Sequence, residues 1–250
     1  MRVLISAGGT SESIDSVRSI TNYSTGRLGS IIADIFAANG ARVTYLCGER
    51  AVMPQSRGIE IVRIKDVQSL LETMERLFGA YKFDCVIHSM AVSDFSPKGS
   101  TSVDEVVENV LRVAIKQSIT QDELRAEIKT AILSSCIVPE ESKISSKSSD
   151  LMLLLENTPK VIGHIKKAQP DTILVGFKLL SDASEDELLN AARDLMVKNS
   201  CDFVLANDLK DIEGELHKAI LIDKSGALHR ANTKHEIAEI IYSKVKEAQK

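Results

Sequence analysis

The sequence lacks a hydrophobic run long enough to span a membrane, an excess of positive charge, and a signal-peptide pattern at its start, MRVLISAGG. Its 31 Lys and Arg residues stand against 35 Asp and Glu residues, and the formal net charge is −4. That balance argues against a nucleic-acid binder that works through bulk charge. Together these absences predict a soluble cytoplasmic protein.

Closely spaced cysteines are also absent, since the 4 cysteines contain no C-x-x-C pair. Cys47, Cys85 and Cys201 lie in or beside apolar strand candidates, which favours buried thiols. The hydrophobic content of 44% over 250 residues is ample for a core. The length fits one large α/β domain or a domain with an appended lobe, and no internal repeat is evident.

The first third of the chain alternates between strand and helix patterns. The predicted order is a strand at Val3–Ile5, a helix at 29–39, strands at Arg42–Cys47 and Ile59–Ile64, a helix capped by Asp66 that runs to Phe78, and a strand at Phe83–His88. This alternation predicts parallel strands with helices on both faces. Ligands of such sheets bind at the carboxyl ends of the strands, where the 8–29 loop and the segment after His88 should converge.

Residues 100–141 depart from the sheet pattern and predict helices at 104–117 and 121–133, which we interpret as an inserted helical flap or dimer element.

The remaining predictions are a strand at 151–156, a helix from Pro159 to Lys167, a strand at 172–177, a helix from a Ser184/Glu187 capping box to Lys198, a strand at 202–206, a hairpin of 218–223 and 227–230, and a helix capped by Thr233 that runs to Ala248.

The stretch from Ser6 to Ala33 contains a connection between strand and helix that is much longer than usual, which favours a binding role. Gly8-Gly9 allows close approach of a ligand, and Asn22 offers an uncharged amide. An anion-binding site is predicted where the next helix begins, at Ser24, Thr25, Gly26 and Gly29. Positive charge is supplied by Arg18 and Arg27. The alternative is a Gly-rich helix entry with Ser24 or Thr25 as its N-cap. The loop matches neither the G-x-G-x-x-G fingerprint nor a Walker A loop.

The whole string SAGGTSESIDSVRSITNYSTGRLG, Ser6–Gly29, closely resembles the opening motif of the phosphopantothenate–cysteine ligase (phosphopantothenoylcysteine synthetase) family of coenzyme A biosynthesis. Similar features follow in the family's order: MAVSDF at Met90–Phe95, SKIS at Ser142–Ser145, VGFKL at Val175–Leu179 and LANDL at Leu205–Leu209. The expected fold is α/β, a three-layer Rossmann-like, mostly parallel sheet with helices on both faces, plus a helical and flap insertion and a small β-hairpin. The expected organisation is a single ligase domain over 1–250, in which 100–150 is an inserted helical segment with a flexible substrate-covering loop.

The resemblance also implies roles for individual residues. It implies that Asn22 is catalytic and polarises the acyl carbonyl, that Lys143 is catalytic and grips the triphosphate, and that Arg18 binds the phosphate of phosphopantothenate across a dimer interface. We expect Asp15 to orient Arg18. The nucleotide-binding residues that it implies are Gly9, Ser24, Gly26, Gly29, Ala91, Asp94, Lys143, Phe177, Lys198 and Asn207. Without the resemblance, Asp94 and Asn207 are typical of turns, Phe177 of a core, Lys143 of a linker, and His88 of a structural histidine.

The implied reaction joins 4′-phosphopantothenate to L-cysteine through an acyl-nucleotide and releases pyrophosphate and a nucleoside monophosphate. The nucleotide is CTP or ATP, with CTP slightly favoured, and Mg²⁺ accompanies it; no metal ligand from the protein is assigned and no flavin is expected. A homodimer is expected, with no nucleic-acid or membrane partner. Because no flavin-dependent decarboxylase domain is present, the chain is expected to act in the ligase step alone. The alternatives are a Rossmann-type NAD(P)- or flavin-binding oxidoreductase and a non-catalytic nucleotide-binding module.

Overall fold

A computed structural model describes residues 1–114, 120–136 and 150–249. It divides the chain into two compact units. Unit 1 comprises Met1–Thr10, Asn22–Val92 and Lys160–Lys250, and unit 2 comprises Ser11–Thr21 and Ser93–Pro159. The single ligase domain over 1–250 stays a prediction.

The described elements in chain order are β1 (Arg2–Ala7), β2 (Ser11–Ser13), β3 (Ser19–Thr21), α1 (Arg27–Ala38), β4 (Arg42–Gly48), β5 (Glu60–Ile64), α2 (Val67–Ala80), β6 (Cys85–His88), β7 (Phe95–Thr101), α3 (Val103–Ala114), α4 (Gln121–Ser135), β8 (Met152–Asn157), α5 (Ile162–Ala168), β9 (Ile173–Leu180), α6 (Glu185–Asn199), β10 (Phe203–Glu213), β11 (Leu216–Asp223), β12 (Leu228–Thr233) and α7 (Lys234–Ala248). Among the helices of these ranges, none combines the length and apolar character needed to cross a membrane.

Unit 1 is built on an eight-stranded sheet in the order β12-β11-β10-β9-β6-β1-β4-β5. The strands from β10 to β5 in that order pair in parallel, while β11 and β12 pair antiparallel at one end. The predicted α/β fold class, a mostly parallel Rossmann-like sheet with a terminal hairpin, is therefore confirmed.

Two apolar cores cover the two faces of this sheet. Side chains of a strand alternate between faces, so Val3 and Ile5 join one core while Leu4 joins the other. The first core contains residues of α1 and α7, and the second contains residues of α2, α5 and α6. Each large apolar side chain buried in this way contributes about 1.5–3 kcal/mol relative to exposure. The helices on both faces confirm the predicted layers.

The helix starts confirm most of the capping predictions. Asp66 and Ser184 accept backbone N–H groups in capping boxes, and Thr233 caps α7. One prediction is wrong, because α5 begins at Ile162 and Pro159 is not its first residue. The N-cap of α1 is Gly26, so the alternative of Ser24 or Thr25 as the N-cap is not found.

Unit 2 contains two small antiparallel sheets, β2-β3 and β7-β8, together with α3 and α4. The predicted helices at 104–117 and 121–133 are found at Val103–Ala114 and Gln121–Ser135, and residues 115–117 lie outside the described part. The predicted strand at 151–156 is β8, whose partner is β7. The predicted substrate-covering loop, with SKIS and Lys143, also lies outside the described residues.

Candidate functional site

The loops that follow β1 and β6 meet at the carboxyl edge of the unit 1 sheet. Ala91 donates its N–H to the Gly8 carbonyl at 2.8 Å, and Thr10 donates its N–H to the Ala91 carbonyl at 3.2 Å. Gly9 and Ala91 form a parallel β-bridge between these bonds. The predicted convergence of two sequence-distant stretches at one edge is therefore confirmed.

The Asn22 backbone packs directly on Gly9. Asn22 donates its N–H to the Thr10 carbonyl at 3.3 Å. A Cβ atom at position 9 would lie 2.3 Å from the Asn22 carbonyl oxygen, so only glycine allows this approach. The Asn22 side chain is half-buried. The glycine that the sequence suggested for ligand approach thus also sets the position of the candidate catalytic amide.

Helix α1 begins at this edge without a side-chain cap. Gly26 is its N-cap in the left-handed region, with φ 70 and ψ 4, and the first helical bond runs from the Ser30 N–H to the Gly26 carbonyl at 3.0 Å. The Thr25 Oγ1 accepts a 3.3 Å bond from the Arg27 N–H, and Ser24, one residue earlier, is half-buried. An uncapped helix start leaves first-turn N–H groups for an anion.

Gly29 brings the first turn of α1 close to the sheet. A Cβ atom at this position would lie 2.5 Å from the Ala7 Cβ and 3.0 Å from the Ser89 Oγ. Ser89 itself donates its hydroxyl to the Ser6 carbonyl at 2.7 Å. The helix start therefore lies against the ends of both β1 and β6.

Phe177 and Asn207 lie at the same edge on the face that α1 covers. Phe177 is half-buried and packs against the core that contains α1. In the β9–β10 register Phe177 pairs with Leu205 and Asn207 pairs with Leu179. Because Leu205 belongs to the same core, Asn207, two residues later, continues that face towards the carboxyl edge. The structure thus brings these two candidates to the edge where α1 begins.

Asp208 is a buried carboxylate to which the sequence analysis assigned no role. It accepts backbone N–H groups from Asp182, Ala183 and Lys210 at 3.2, 2.6 and 3.0 Å. Burial alone would raise its pKa, but these bonds outweigh burial and lower the pKa, so the group stays ionised. Asp208 ties the segment before α6 to β10 and thereby fixes the strand that carries Asn207. The sequence feature that could have indicated this role is the place of Asp208 just after the predicted strand at 202–206.

His88 is a buried histidine at the end of β6. Its Nδ1 lies 2.7 Å from the Ser6 Oγ. Burial lowers the pKa of His88 to about 4, so the ring is neutral near pH 7. These contacts agree with the structural role expected from the sequence.

Unit 2 carries three further candidates. Arg18 donates from Nε and from one terminal nitrogen to the Asp15 Oδ2 at 3.0 and 2.6 Å. The Asp15 side chain is fully buried and that of Arg18 is 42% exposed, which confirms that Asp15 orients Arg18. Asp94 is exposed just before β7, and its carbonyl accepts the Thr158 N–H at 3.0 Å.

Lys198 is the candidate that the structure separates from the others in unit 1. It is exposed in the last turn of α6. A helix that connects parallel strands runs back from their carboxyl edge to their amino edge, and the 15 residues of α6 span about 22 Å. The nucleotide contact of Lys198 stays a prediction. Lys143 cannot be placed, because it lies outside the described residues.

A protein-borne metal centre was not assigned from the sequence. Within residues 1–114, 120–136 and 150–249, no group of three His, Cys, Asp or Glu side chains is arranged to hold a metal ion.

A family model described as the DNA/pantothenate metabolism flavoprotein C-terminal domain matches residues 1–106 and 111–248. The chain belongs to this family. The match covers both units and confirms the family recognised from the motifs. A solved member of the family, the DNA/pantothenate metabolism flavoprotein from Streptococcus pneumoniae, is 36% identical, with a TM-score of 0.82 over 99% of each chain.

Two further similarities extend the comparison. The coenzyme A biosynthesis bifunctional protein CoaBC of Thermococcus kodakarensis is 32% identical over 98% of this chain and 50% of its own length. The chain thus spans about half the length of the curated relatives it matches. A Cab2 variant in complex with phosphopantothenate-cysteine is 16% identical, with a TM-score of 0.67 over 98% of this chain and 86% of the other, and shares the fold.

Proposed function

We propose that this chain is a phosphopantothenate–cysteine ligase of coenzyme A biosynthesis. One observation carries the proposal: the Asn22 amide group, the uncapped start of α1 and the Ala91 segment occur at one sheet edge in a member of this family. A CoaBC relative and a neighbour of the same fold that binds phosphopantothenate-cysteine support the same substrates.

The proposed first step activates the acid. A carboxylate oxygen of 4′-phosphopantothenate attacks the α-phosphorus of CTP or ATP, the bond to the bridging oxygen breaks, and pyrophosphate leaves with the electron pair. Both reactants are anionic, so the step needs oriented donors and cations. The first-turn N–H groups of α1, held against the sheet through Gly26 and Gly29, are suited to phosphate oxygens. CTP remains slightly favoured over ATP.

Mg²⁺ fits this site only as a companion of the triphosphate. The described residues supply no carboxylate cluster for it, and Mg²⁺ bound to nucleotides is commonly held by phosphate oxygens and water. When bound, it would neutralise phosphate charge. The protein's own contribution is the orientation of the nucleotide by the helix start and by the candidate contacts of Phe177 and Asn207.

The proposed second step forms the amide. The cysteine amine attacks the acyl carbon, the bond to the phosphate oxygen breaks, the nucleoside monophosphate leaves, and the amine proton passes to solvent. Negative charge grows on the acyl oxygen, and the Asn22 side-chain amide can donate a hydrogen bond to it. We propose that Gly9 holds Asn22 in place for this donation.

The remaining assignments are also proposals. Arg18, oriented by Asp15, would bind the phosphate of phosphopantothenate across a homodimer interface, and Lys143 would grip the triphosphate. Gly9, Ser24, Ala91 and Asp94 would border the nucleotide. The expected setting is the cytoplasm.

A pyrophosphate-release assay tests the proposal. CTP and ATP are supplied in parallel with phosphopantothenate, with and without cysteine. Release that requires phosphopantothenate, with amide product only when cysteine is present, supports the ligase. Absence of release with both nucleotides would reject it, and a bound NAD(P) or flavin spectrum would then favour an oxidoreductase.

The Asn22→Ala variant tests the assigned role. We expect a loss of amide formation of roughly 10²–10³-fold with normal folding, because one oxyanion donor is removed. Asn190→Ala is the matched control, since Asn190 is an exposed asparagine on α6, outside the loop that carries Asn22. Turnover of Asn22→Ala equal to that of the control would remove Asn22 from the mechanism.

A further inference from the structure

His217 is a buried histidine for which the described part of the chain provides no hydrogen-bond partner. Its side chain lies on β11 and is 6% exposed, and neither ring nitrogen has a hydrogen-bond partner among the described residues. Buried polar groups nearly always have a partner in the protein, a water or a ligand. His217 therefore marks a place where a group from outside the chain would complete the structure.

The position of His217 directs it to the candidate site. Ala219, two residues later on β11, belongs to the core that contains α1 and is the register partner of Asn207. The strand pairing shifts register on both sides of His217, so its position follows from the residues before it. The Leu216 carbonyl accepts from the Lys234 Nζ at the start of α7, and Glu215 accepts from Arg27 at the start of α1.

Three charged residues lie at the tip of the β10–β11 hairpin and at the starts of the two helices that contact it. With His217 we call them the hairpin-tip cluster: Arg27, Glu215, His217 and Lys234. The Lys234 Nζ, 6% exposed as a residue, donates to the carbonyls of Gly214 and Leu216, which flank Glu215. Arg27, the first residue of α1, donates from Nε to the Glu215 Oε1 at 3.3 Å. The first residues of α1 and α7, both cations, thus hold the hairpin tip: Arg27 through the Glu215 carboxylate and Lys234 through the two backbone carbonyls.

We propose that the hairpin-tip cluster is a subsite for the pyrophosphoryl part of a nucleoside triphosphate, with His217 as a hydrogen-bonding ligand. In the free protein the Glu215 carboxylate lies against Arg27, where a phosphate oxygen would bind. The identification with a triphosphate rests on the proposed function, whereas the preference for an anion rests on the cluster alone.

The Arg27–Glu215 ion pair is suited to displacement. Its side chains are 37% and 58% exposed, and ion pairs at such positions contribute little. Pyrophosphate carries more charge than a carboxylate and can accept two parallel bonds from a guanidinium group. When the Glu215 carboxylate moves away from Arg27, pyrophosphate binds in its place next to the first turn of α1. The His217 ring then forms a hydrogen bond with the anion. Burial and the charge of Lys234 keep the pKa of His217 low, at about 4, until then.

Calorimetric titration with pyrophosphate tests this subsite in the full chain. We expect His217→Ala to raise the Kd about 10-fold or more, the usual effect of a lost hydrogen bond to a charged group. We expect Glu215→Gln to lower the Kd about 2–5-fold, because a competing carboxylate is removed. His229→Ala and Glu213→Gln are matched controls that remove a histidine on β12 or a negative charge at the end of β10, and the Kd should be unchanged.

The opposite signs of the two effects make the test decisive. Equal affinity in the wild type and both cluster variants, or no pyrophosphate binding by the wild type, would overturn the proposal. If His217→Ala fails to fold, the ring ¹⁵N signals of the wild-type histidine serve instead: they must shift on titration, and unchanged signals reject the contact. Failure of the ligase proposal is distinguishable, because pyrophosphate binding would persist without release in the turnover assay.

Discussion

The contact between Gly9 and Asn22 makes Gly9→Ala an informative perturbation. The added Cβ would lie 2.3 Å from the Asn22 carbonyl oxygen, and real Cβ atoms essentially never approach within 3.0 Å. Asn22 must therefore move by about 0.7 Å or more. A misplacement of about 1 Å can lower a rate by about 10²-fold, so we expect a loss of turnover of that order. Overpacking should also cost about 1–3 kcal/mol of folding free energy.

A double-mutant cycle separates displacement of Asn22 from general damage. If Gly9 acts through Asn22, the Gly9→Ala change should have little further effect on turnover once Asn22→Ala is present. Gly79→Ala is the matched control, because nothing lies within 4 Å of a Cβ at that position in α2. We expect it to keep turnover and to be stabilising by about 0.5–1 kcal/mol. Pyrophosphate release and urea unfolding measure both quantities. Wild-type turnover of Gly9→Ala, or additive losses in the cycle, would refute the reasoning.

Two further predictions concern titration and thiol reactivity. The folded pKa of His88, about 4, lies below its unfolded value of 6.5, so its contribution to stability is present above pH 6.5 and is lost as the pH falls towards 4. His88→Gln should reduce the stability change between pH 7 and pH 4 by about 3 kcal/mol, measured by urea unfolding, and an unchanged slope would contradict this. Burial raises the pKa of three cysteines, Cys47, Cys85 and Cys201, whereas Cys136 is partly exposed. A thiol reagent should therefore label one site rapidly in the native protein, and Cys136→Ser should abolish that labelling; rapid labelling of a second thiol would contradict the assignment.

The main sheet could be predicted from the sequence because its strands are apolar and separated by helices with clear caps. Strand β7 was missed because Pro97 and Gly99 are unfavourable in strands, and the register shifts between them. The β2-β3 hairpin was missed because its short strands, SES and SIT, lack an extended apolar alternation. The local sequence therefore does not indicate the pairing of β7 with β8 or of β2 with β3.

The candidate site could be predicted where a contact follows from strand order. The meeting of Gly9 with Ala91 follows from parallel strands that end at one edge. His217 could not be found in this way, because its burial depends on how the β10–β11 hairpin folds over a register shift. The nucleotide contact of Lys198 stays a prediction, because it rests on a motif position that carries no information about which end of a helix faces the ligand.

The division of the chain into two units has a consequence for any attempt to study them apart. The backbone passes between the units between residues 10 and 11, 21 and 22, 92 and 93, and 159 and 160. No single cut can therefore release either unit as an intact piece, and a nick in one connection leaves the others covalently joined. Limited proteolysis should yield fragments that stay associated until the protein is denatured, and shortening from either terminus removes part of unit 1 before it reaches unit 2.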